Sequence, residues 1–216
     1  SEDAIAEAKA GIAKLTDAVN EYQYYLTNDP RNFLFGKYLK MINEPQVPEA
    51  PENVEDPAMW QYLWYRSHYW DRVDFDDPRL VRDGAFDQLV TRYWSKVLPQ
   101  IPDTMIVEAH SLLDQVLQAG NKDMFKYMVH HMTYASESSK IMCMDKVFVD
   151  LVNSYYRTDM VDWLNEEQLK KILDRAEDLK YTLCGNKAPN ITLPDLDQEN
   201  WVKLHDIEAK YTLICI

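Results

Sequence analysis

The chain has 216 residues, a formal charge of −13 and a hydrophobic fraction of 46%. That fraction argues against disorder and suffices for a substantial core. The acidic balance argues against nucleic-acid binding, which requires a basic face. No apolar run has the length of a membrane span, and 5 Gly beside 14 Tyr and 6 Trp favour aromatic-rich helices over a turn-rich β fold.

The first predicted elements are two helices that form an antiparallel hairpin over residues 1–43. Apolar residues recur at alternating spacings of three and four along a helix over Asp3–Tyr25, as in three heptads of a coiled coil. The stripe consists of Ile5, Ala8, Ile12, Leu15, Val19, Tyr22 and Leu26. It favours a long helix packed on its own domain, and the alternative is a coiled-coil seam between copies.

The second helix is predicted to begin at Asp29-Pro30, where Asp29 caps and Pro30 takes the first helical position. Its predicted buried face contains Phe33 or Leu34, Tyr38, Leu39 and Ile42. Residues 44–57 are then predicted to be a linker, because four prolines forbid a regular helix or a central strand there.

The most aromatic part of the chain is a predicted helix over Ala58–Tyr69. Its large side chains are Met59, Trp60, Tyr62, Leu63, Trp64, Tyr65 and Tyr69, with Trp70 next in the chain. We expect these rings to belong to the core and to cover the proline-rich linker. The alternative is an aromatic platform for a ligand or a peptide.

Four carboxylates follow closely, at Asp71, Asp74, Asp76 and Asp77. Such a cluster can bind Ca²⁺, but it lacks the glycine and the late glutamate of a helix–loop–helix calcium loop. Asp77-Pro78 is therefore predicted to cap a short turn instead.

Five further helices are predicted, and with the aromatic helix they complete a bundle or short helical stack over residues 58–184. They cover Ala85–Leu98, a segment capped by Asp103 and ending at Ala119, residues 121–136, Lys146–Tyr156, and a segment capped by Asn165 that runs to Thr182. Gly120 fits the left-handed residue that follows a helix. Asn165 and Gln168 form the pattern of a capping box.

The tail is predicted to be a small β segment. Ile191–Leu193 and Trp201–Leu204 have the pattern of short strands, and 194–200 is the turn between them. Tyr211–Ile216 is continuously apolar, as expected of a strand buried on both faces. We therefore expect the chain to stop at the first core strand of a second domain, and that strand to seek pairing along its edges.

No catalytic, cofactor-binding or metal-binding residue is assigned by the sequence. The five histidines are His68, His110, His130, His131 and His205. The adjacent pair points about 100° apart on a helix, so it cannot chelate one ion. Three cysteines, at 143, 184 and 215, are expected to be free thiols; the alternative is a bridge between Cys143 and Cys184, both near predicted helix ends.

The tail resembles the entry into a thioredoxin-like redoxin of the TlpA/ResA or peroxiredoxin type. The matching residues are Gly185, Ala188, Pro189, Leu193, Asp195, Val202, Leu204, Asp206, Lys210 and Tyr211. In that family the apolar strand leads into a Trp-containing loop and a Cys-x-x-Cys motif. This sequence ends before both, so the resemblance assigns it no catalytic residue.

The helical part resembles an uncharacterised domain that precedes the thioredoxin-like module in envelope redoxins of gut-type Gram-negative bacteria. The similarity covers most of residues 30–184 and includes 74–82, 97–103, 139–145 and 163–169. The resemblance implies an accessory domain of an exported thiol–disulfide oxidoreductase, in the periplasm or cell envelope, with lipid anchoring of the full-length protein. The partners expected are envelope proteins or other copies, with no cofactor, nucleic acid or membrane span. The rival hypothesis is a stand-alone helical module that binds a peptide or a small ligand.

Overall fold

The structure, a computed structural model, describes residues 2–158, 160–195, 197 and 199–212. Its fold is mainly α, as predicted, with a two-stranded sheet in the described tail. The α-helices are α1 (Glu2–Asn28), α2 (Phe33–Ile42), α3 (Pro57–Ser67), α4 (Gly84–Arg92), α5 (Pro102–Gln118), α6 (Lys122–Glu137), α7 (Asp145–Leu151) and α8 (Glu166–Leu179). The chain separates into two compact units, residues 1–132 and 133–216. The division into 1–43, 44–57, 58–184 and 185–216 stays a prediction.

In the first unit, α1 contacts α2 through its C-terminal turns. The half-buried side chains of α1 are Gln23, Leu26 and Thr27, whereas every side chain from Ala4 to Tyr22 is exposed. The favoured prediction, that the apolar stripe of α1 packs on its own domain, is therefore wrong for Ile5 to Tyr22. Periodicity identified the apolar face correctly, but nothing among the described residues covers it.

The approach of α2 to α1 depends on a glycine. A Cβ atom at Gly36 would lie 2.7 Å from the backbone oxygen of Thr27, closer than real Cβ contacts, so only glycine fits. This contact sets the rotation of α2, which buries Leu39 as predicted and also Met41. Three other predicted members of the buried face are exposed, namely Phe33, Leu34 and Ile42.

The predicted caps at Asp29 and Gly120 are confirmed, whereas the cap predicted at Asp103 is wrong. Asp29 accepts the backbone N–H of Arg31 at the start of a short 3₁₀ turn over Pro30–Asn32, and Gly120 is left-handed, with φ of 70°. Asp103 does not cap α5. The cap position is held by Ile101, because Pro102 has a fixed φ suited to the first helical position.

The core of the first unit lies among α4, α5 and α6. Helix α4 continues into a π-helical turn, Tyr93–Val97. The helix and this turn together match the helix predicted over 85–98. Predicted core residues that are buried here are Phe86, Val90, Tyr93, Trp94, Val97, Ala109, Leu113, Val116, Phe125, Met128, Val129 and Met132. Ile106 is half-buried and Leu117 is exposed, because α5 turns Met105 and Leu112 inward instead.

In the second unit, α7 continues into a π-helical turn, Val152–Tyr156, as the predicted helix requires. The capping box before α8 is confirmed: Asn165 Oδ1 accepts the N–H of Gln168 at 2.8 Å, and Gln168 Oε1 accepts the N–H of Asn165 at 3.2 Å. Helix α8 ends at Leu179, three residues before the predicted end.

The tail of this unit forms the predicted hairpin. Strand β1 (Thr192–Pro194) pairs antiparallel with β2 (Trp201–Lys203), so that Leu193 lies opposite Val202. Asp195 holds the turn, because Oδ1 accepts the N–H of Glu199 at 3.0 Å and Oδ2 accepts Asn200 Nδ2 at 2.9 Å. Of the strand predicted over 211–216, residues 213–216 lie outside the described residues. Tyr211 and Thr212 form no strand, and Tyr211 is 84% exposed.

Candidate interaction surfaces

The aromatic helix α3 is a surface element of the first unit. Asp56 caps it by accepting the N–H of Met59, and Pro57 takes the first helical position. The expectation that its rings are core holds for Tyr69 and Trp70, which follow α3 and are buried. Helix α3 itself has no fully buried residue, and its four rings, Trp60, Tyr62, Trp64 and Tyr65, are half-buried.

One face of α3 presents apolar side chains to solvent. Met59 and Leu63, one helical turn apart, are 51% and 49% exposed. Beside them lies a groove of about 490 Å³, lined by Trp60, Leu63, Trp64, Arg66, Ser67 and Glu108. The aromatic platform, the alternative in the sequence, therefore has a physical counterpart here.

A half-buried ion pair between Arg66 and Glu108 lies at one side of this groove. Arg66 pairs with Glu108, whose other oxygen accepts the Tyr93 hydroxyl at 2.8 Å. Burial opposes the charge of Arg66, but the hydrogen bond and charge of Glu108 outweigh it and raise the pKa of Arg66. Burial raises the pKa of the Tyr93 phenol, so this phenol stays a neutral donor. The groove is thus lined mainly by apolar and aromatic side chains, and the charges of Arg66 and Glu108 at its polar side compensate each other.

The second groove, of about 920 Å³, lies between α1, α2 and the segment 71–74. Its lining mixes the cations Lys37, Lys40 and Arg72 with the amides of Gln23 and Asn43 and with four carboxylates, namely Asp29, Glu44, Asp71 and Asp74. A lining with amides and charges of both signs suits a small polar ligand or a peptide better than an apolar ligand.

Two carboxylates of the acidic cluster, Asp74 and Asp77, pair with cations. Lys37 Nζ lies 2.7 Å from Asp74 and 2.9 Å from Asp77, and Asp77 also accepts Arg79 Nε at 2.8 Å. The hydrogen bonds of Arg79 lower the pKa of Asp77 well below its ordinary range, although burial opposes them; Lys37 lowers it further. Asp77 accepts the N–H of Arg79 as well, as predicted for a residue that caps a short turn.

Among the residues that the structure describes, no group of three or more His, Cys, Asp or Glu side chains could hold a metal ion. The histidines lie apart from the grooves, except that His68 stacks on Trp64 with ring centroids 4.0 Å apart. His131 is half-buried, and burial lowers its pKa although Asp87, 3.9 Å away, acts in the opposite direction. Ser67 Oγ lies 2.9 Å from His68 Nδ1, but the Ser67 hydroxyl donates to the backbone oxygen of Trp64 at 2.9 Å, and His68 Nδ1 lies 2.8 Å from the same oxygen. These contacts close the C-terminal end of α3.

In the second unit, Cys143 and Cys184 form a disulfide, with Cα atoms 5.5 Å apart. The expectation of three free thiols is therefore wrong for this pair, and the alternative bridge is correct. Cys184 is exposed and Cys143 half-buried, and Cys143 has a φ of 70°, in the left-handed region. Only the position of both residues near helix ends hinted at the pairing in the sequence. Cys215 lies outside the described residues.

These features define a mainly helical protein whose first unit carries two grooves, one beside the apolar face of α3 and one between α1, α2 and the segment 71–74. Residues 7–179 match the model of a protein family described as "Domain of unknown function (DUF5106)", and the chain belongs to this family. No helix in the described part is long and apolar enough to cross a membrane.

One solved structure is similar to this chain, a thioredoxin-like protein from Bacteroides caccae, with 18% sequence identity and a TM-score of 0.48. The similarity covers 76% of this chain and 57% of that protein. The chain thus spans little more than half the length of that protein. None of the curated proteins matches the chain.

Proposed function

We propose that this chain is the accessory helical domain of an exported thiol–disulfide oxidoreductase, in which it binds partner proteins or other copies and performs no disulfide exchange itself. The observation that carries this role is the exposed apolar surface of α1 and α3. Ile12 and Leu15 on α1, and Met59 and Leu63 on α3, are between 49% and 69% exposed. Contiguous apolar surface on a folded protein is typical of an interaction site.

The link to an oxidoreductase is supported by the tail. Leu193 and Val202, two positions of the redoxin resemblance, lie opposite each other in the β1–β2 hairpin. In TlpA/ResA-like proteins such an opening leads to the Cys-x-x-Cys motif that exchanges disulfides. The proposal places that motif after Ile216, in a longer protein of which this chain is the helical part.

The disulfide between Cys143 and Cys184 supports a location outside the cytosol. Disulfides persist in oxidising compartments and are rare where glutathione and thioredoxin keep thiols reduced. The bacterial periplasm or cell envelope satisfies this requirement. Lipid anchoring of the longer protein belongs to the same proposal and rests on the resemblance alone.

Helix α3 is the surface that we assign to protein partners. The substrates that we propose are proteins whose apolar segments are exposed because their disulfides are wrong or missing. The apolar pair Met59 and Leu63, with the half-buried rings of Trp60 and Trp64 beside it, can bind such a segment without selecting one sequence. Binding there would hold the partner near the redox-active domain and raise its effective concentration.

The first experiment is to read the natural gene beyond the codon for Ile216. Codons for a Trp and a Cys-x-x-Cys motif shortly afterwards would support the oxidoreductase proposal. A stop codon there would refute it and leave the interaction role to be tested alone.

The interaction role is tested in the longer protein with the double variant Met59→Glu/Leu63→Glu. We expect KM for an unfolded, disulfide-containing protein substrate to rise roughly tenfold, which corresponds to about 1.4 kcal/mol of binding. The turnover of a small dithiol should not change. Ala58→Glu, an exposed position on the same helix, is the matched control. An unchanged KM in the double variant would contradict the assignment of α3.

The second candidate function is a stand-alone module that binds a small polar ligand or a peptide. The groove between α1, α2 and 71–74 favours it, because amides and charged side chains of both signs face one cavity of about 920 Å³, and Lys40 and Arg72 can meet acidic groups there. A rise in the melting temperature with an acidic peptide, abolished by Lys40→Glu and not by Lys9→Glu, would support this function. The absence of any shift with such a peptide would count against it.

A further inference from the structure

Helix α1 is exposed on every side over most of its length. All side chains from Ile5 to Tyr22 are exposed, so this apolar stripe has no covering element among the described residues. In proteins most of the stability of a helix comes from the packing of its amphipathic face. A partner for α1 would supply that packing.

The exposed face is a continuous apolar stripe rather than scattered single residues. The exposed fractions of its large members are 58% for Ile5, 65% for Ile12, 69% for Leu15, 53% for Val19 and 63% for Tyr22. These residues take the a and d positions of three successive heptads. The next member, Leu26, is half-buried toward α2, so the free seam runs from Ile5 to Tyr22, roughly 26 Å along the helix.

We propose that this seam pairs with the same seam of a second copy of the chain, in antiparallel orientation. This proposal rests on the interaction role proposed above, and it specifies the partner of α1 as a second copy of the chain. An antiparallel pair places a positions opposite d positions. With Ile12 opposite Leu15 of the second copy, Ala8 lies opposite Val19 and Ile5 opposite Tyr22, so no layer pairs two alanines or two tyrosines.

A parallel pair would place each residue opposite itself. Two copies of Ala8 would then leave a gap, and two copies of Tyr22 would crowd one layer, which the close packing of interfaces disfavours. The antiparallel register also sets Gly11 opposite Ala18 at the edge of the seam. Small residues there let the two backbones approach closely. The antiparallel orientation also places the positive N-terminal end of each helix dipole beside the negative C-terminal end of the other, which is favourable.

The charges on α1 are compatible with this pairing. Glu7, Lys14, Asp17 and Glu21 occupy the c and f positions, away from the seam. Lys9 occupies an edge position, and the antiparallel register places it near Thr16 of the second copy. The pairing therefore buries no charged side chain and brings no like charges together at its edge.

The available area fits a reversible dimer. Fully burying a large aliphatic side chain removes roughly 60–120 Å² of apolar surface, and a tyrosine removes more. The stripe and its flanking alanines thus offer about 500 Å² on each copy, or about 1,000 Å² in total. This lies at the lower limit of specific interfaces, so we expect dissociation in the micromolar range.

The first test is sedimentation velocity of the chain over about 1–200 µM, which spans the weak affinities of such interfaces. We expect a reversible monomer–dimer equilibrium. Ile12→Glu/Leu15→Glu should weaken the dimer at least roughly 100-fold, because charges at a and d positions cannot be buried. Ala6→Glu/Ala13→Glu adds the same charge to the same helix off the seam, and it should leave the dimer intact.

The variants are expected to fold, because the substituted side chains are exposed in the single chain; circular dichroism and a thermal melt check this. A chain that stays monomeric to 200 µM overturns the inference. So does a dimer that the seam variant leaves unchanged. Neither result affects the test of α3, which uses a different surface and a kinetic readout.

The orientation has its own test, in a Cys215→Ser background. Ile5→Cys mixed with Tyr22→Cys should form a cross-linked dimer under mild oxidation, because these positions lie opposite each other in the antiparallel register. Ile5→Cys alone should not cross-link, since the two copies of residue 5 would be roughly 26 Å apart. Efficient cross-linking of Ile5→Cys alone would overturn the antiparallel arrangement.

Discussion

Removing the disulfide between Cys143 and Cys184 should strongly destabilise the second unit. The two cysteines are 41 residues apart in the sequence. In the chain-entropy description, closing a loop of this size lowers the entropy of the unfolded chain by about 13 cal/mol/K, or about 4 kcal/mol at 25 °C. Since typical domains have only 5–15 kcal/mol of stability, we expect Cys143→Ser/Cys184→Ser to lose much of the stability of this unit.

The assay is urea unfolding followed by circular dichroism, with and without a reductant. For a slope of 1–2 kcal/mol/M, the midpoint of the transition that belongs to residues 133–216 should fall by roughly 2–4 M. Reduction of the natural chain should produce the same fall and should leave the double variant unchanged. Cys215→Ser is the control, and its midpoint should stay close to that of the natural chain.

Two results would refute this reasoning. If the unreduced, denatured chain reacted with three equivalents of an alkylating reagent rather than one, the bridge would not exist. If the bridge were present but the midpoint of the double variant were unchanged, the loop would be held closed in the unfolded state by other contacts. The loop-closure estimate would then not apply.

Two further predictions concern the first unit. Gly36→Ala should destabilise it by about 1–3 kcal/mol, because the added Cβ would lie 2.7 Å from the backbone of Thr27. Gly11→Ala is the control: an added Cβ has nothing within 4 Å there, so this variant should add about 0.5–1 kcal/mol of helix stability. Equal effects of the two variants on the free energy of unfolding in urea would contradict this reasoning. Asp77→Asn should cost about 1–3 kcal/mol at pH 7, because it removes charge-assisted hydrogen bonds. Since Arg79 lowers the pKa of Asp77 in the folded state, this stabilisation is present above the unfolded pKa of about 4 and is lost as the pH falls toward the folded value. The gap between variant and natural chain should therefore narrow on acidification, and a constant gap between pH 7 and pH 2 would show that the charge is not its source.

Helix positions from α4 onward could be predicted from the sequence because local signals determine them. The capping box at Asn165 and Gln168, and the left-handed glycine at position 120, each involve residues that are neighbours in the chain. Their hydrogen bonds form whatever the rest of the fold does. Helix starts were less certain where two signals compete, as at Pro102 and Asp103, where the fixed φ of proline decided the boundary.

The disulfide and the groove on α3 could not be predicted in the same way, because they depend on distances between remote residues. Nothing in the sequence brings Cys143 within 5.5 Å of Cys184, and nothing there places Glu108 beside Arg66. The density of rings in α3 favoured a core helix, since aromatic side chains are usually buried. The fold buries Tyr69 and Trp70 and leaves Met59 and Leu63 exposed.

The stripe on α1 shows where the information in a hydrophobic pattern ends. A spacing of three and four specifies that Ile5, Ile12 and Leu15 share a face, but it does not specify whether that face meets the same chain or another one. The two cases differ in exposure, which only the fold reveals, and these three side chains are each more than half exposed. A helix that packs on its own domain has side chains whose sizes fit the irregular surface of that domain. Here the layers of the stripe complement its own reversed copy, and this self-complementarity favours a second chain as the partner.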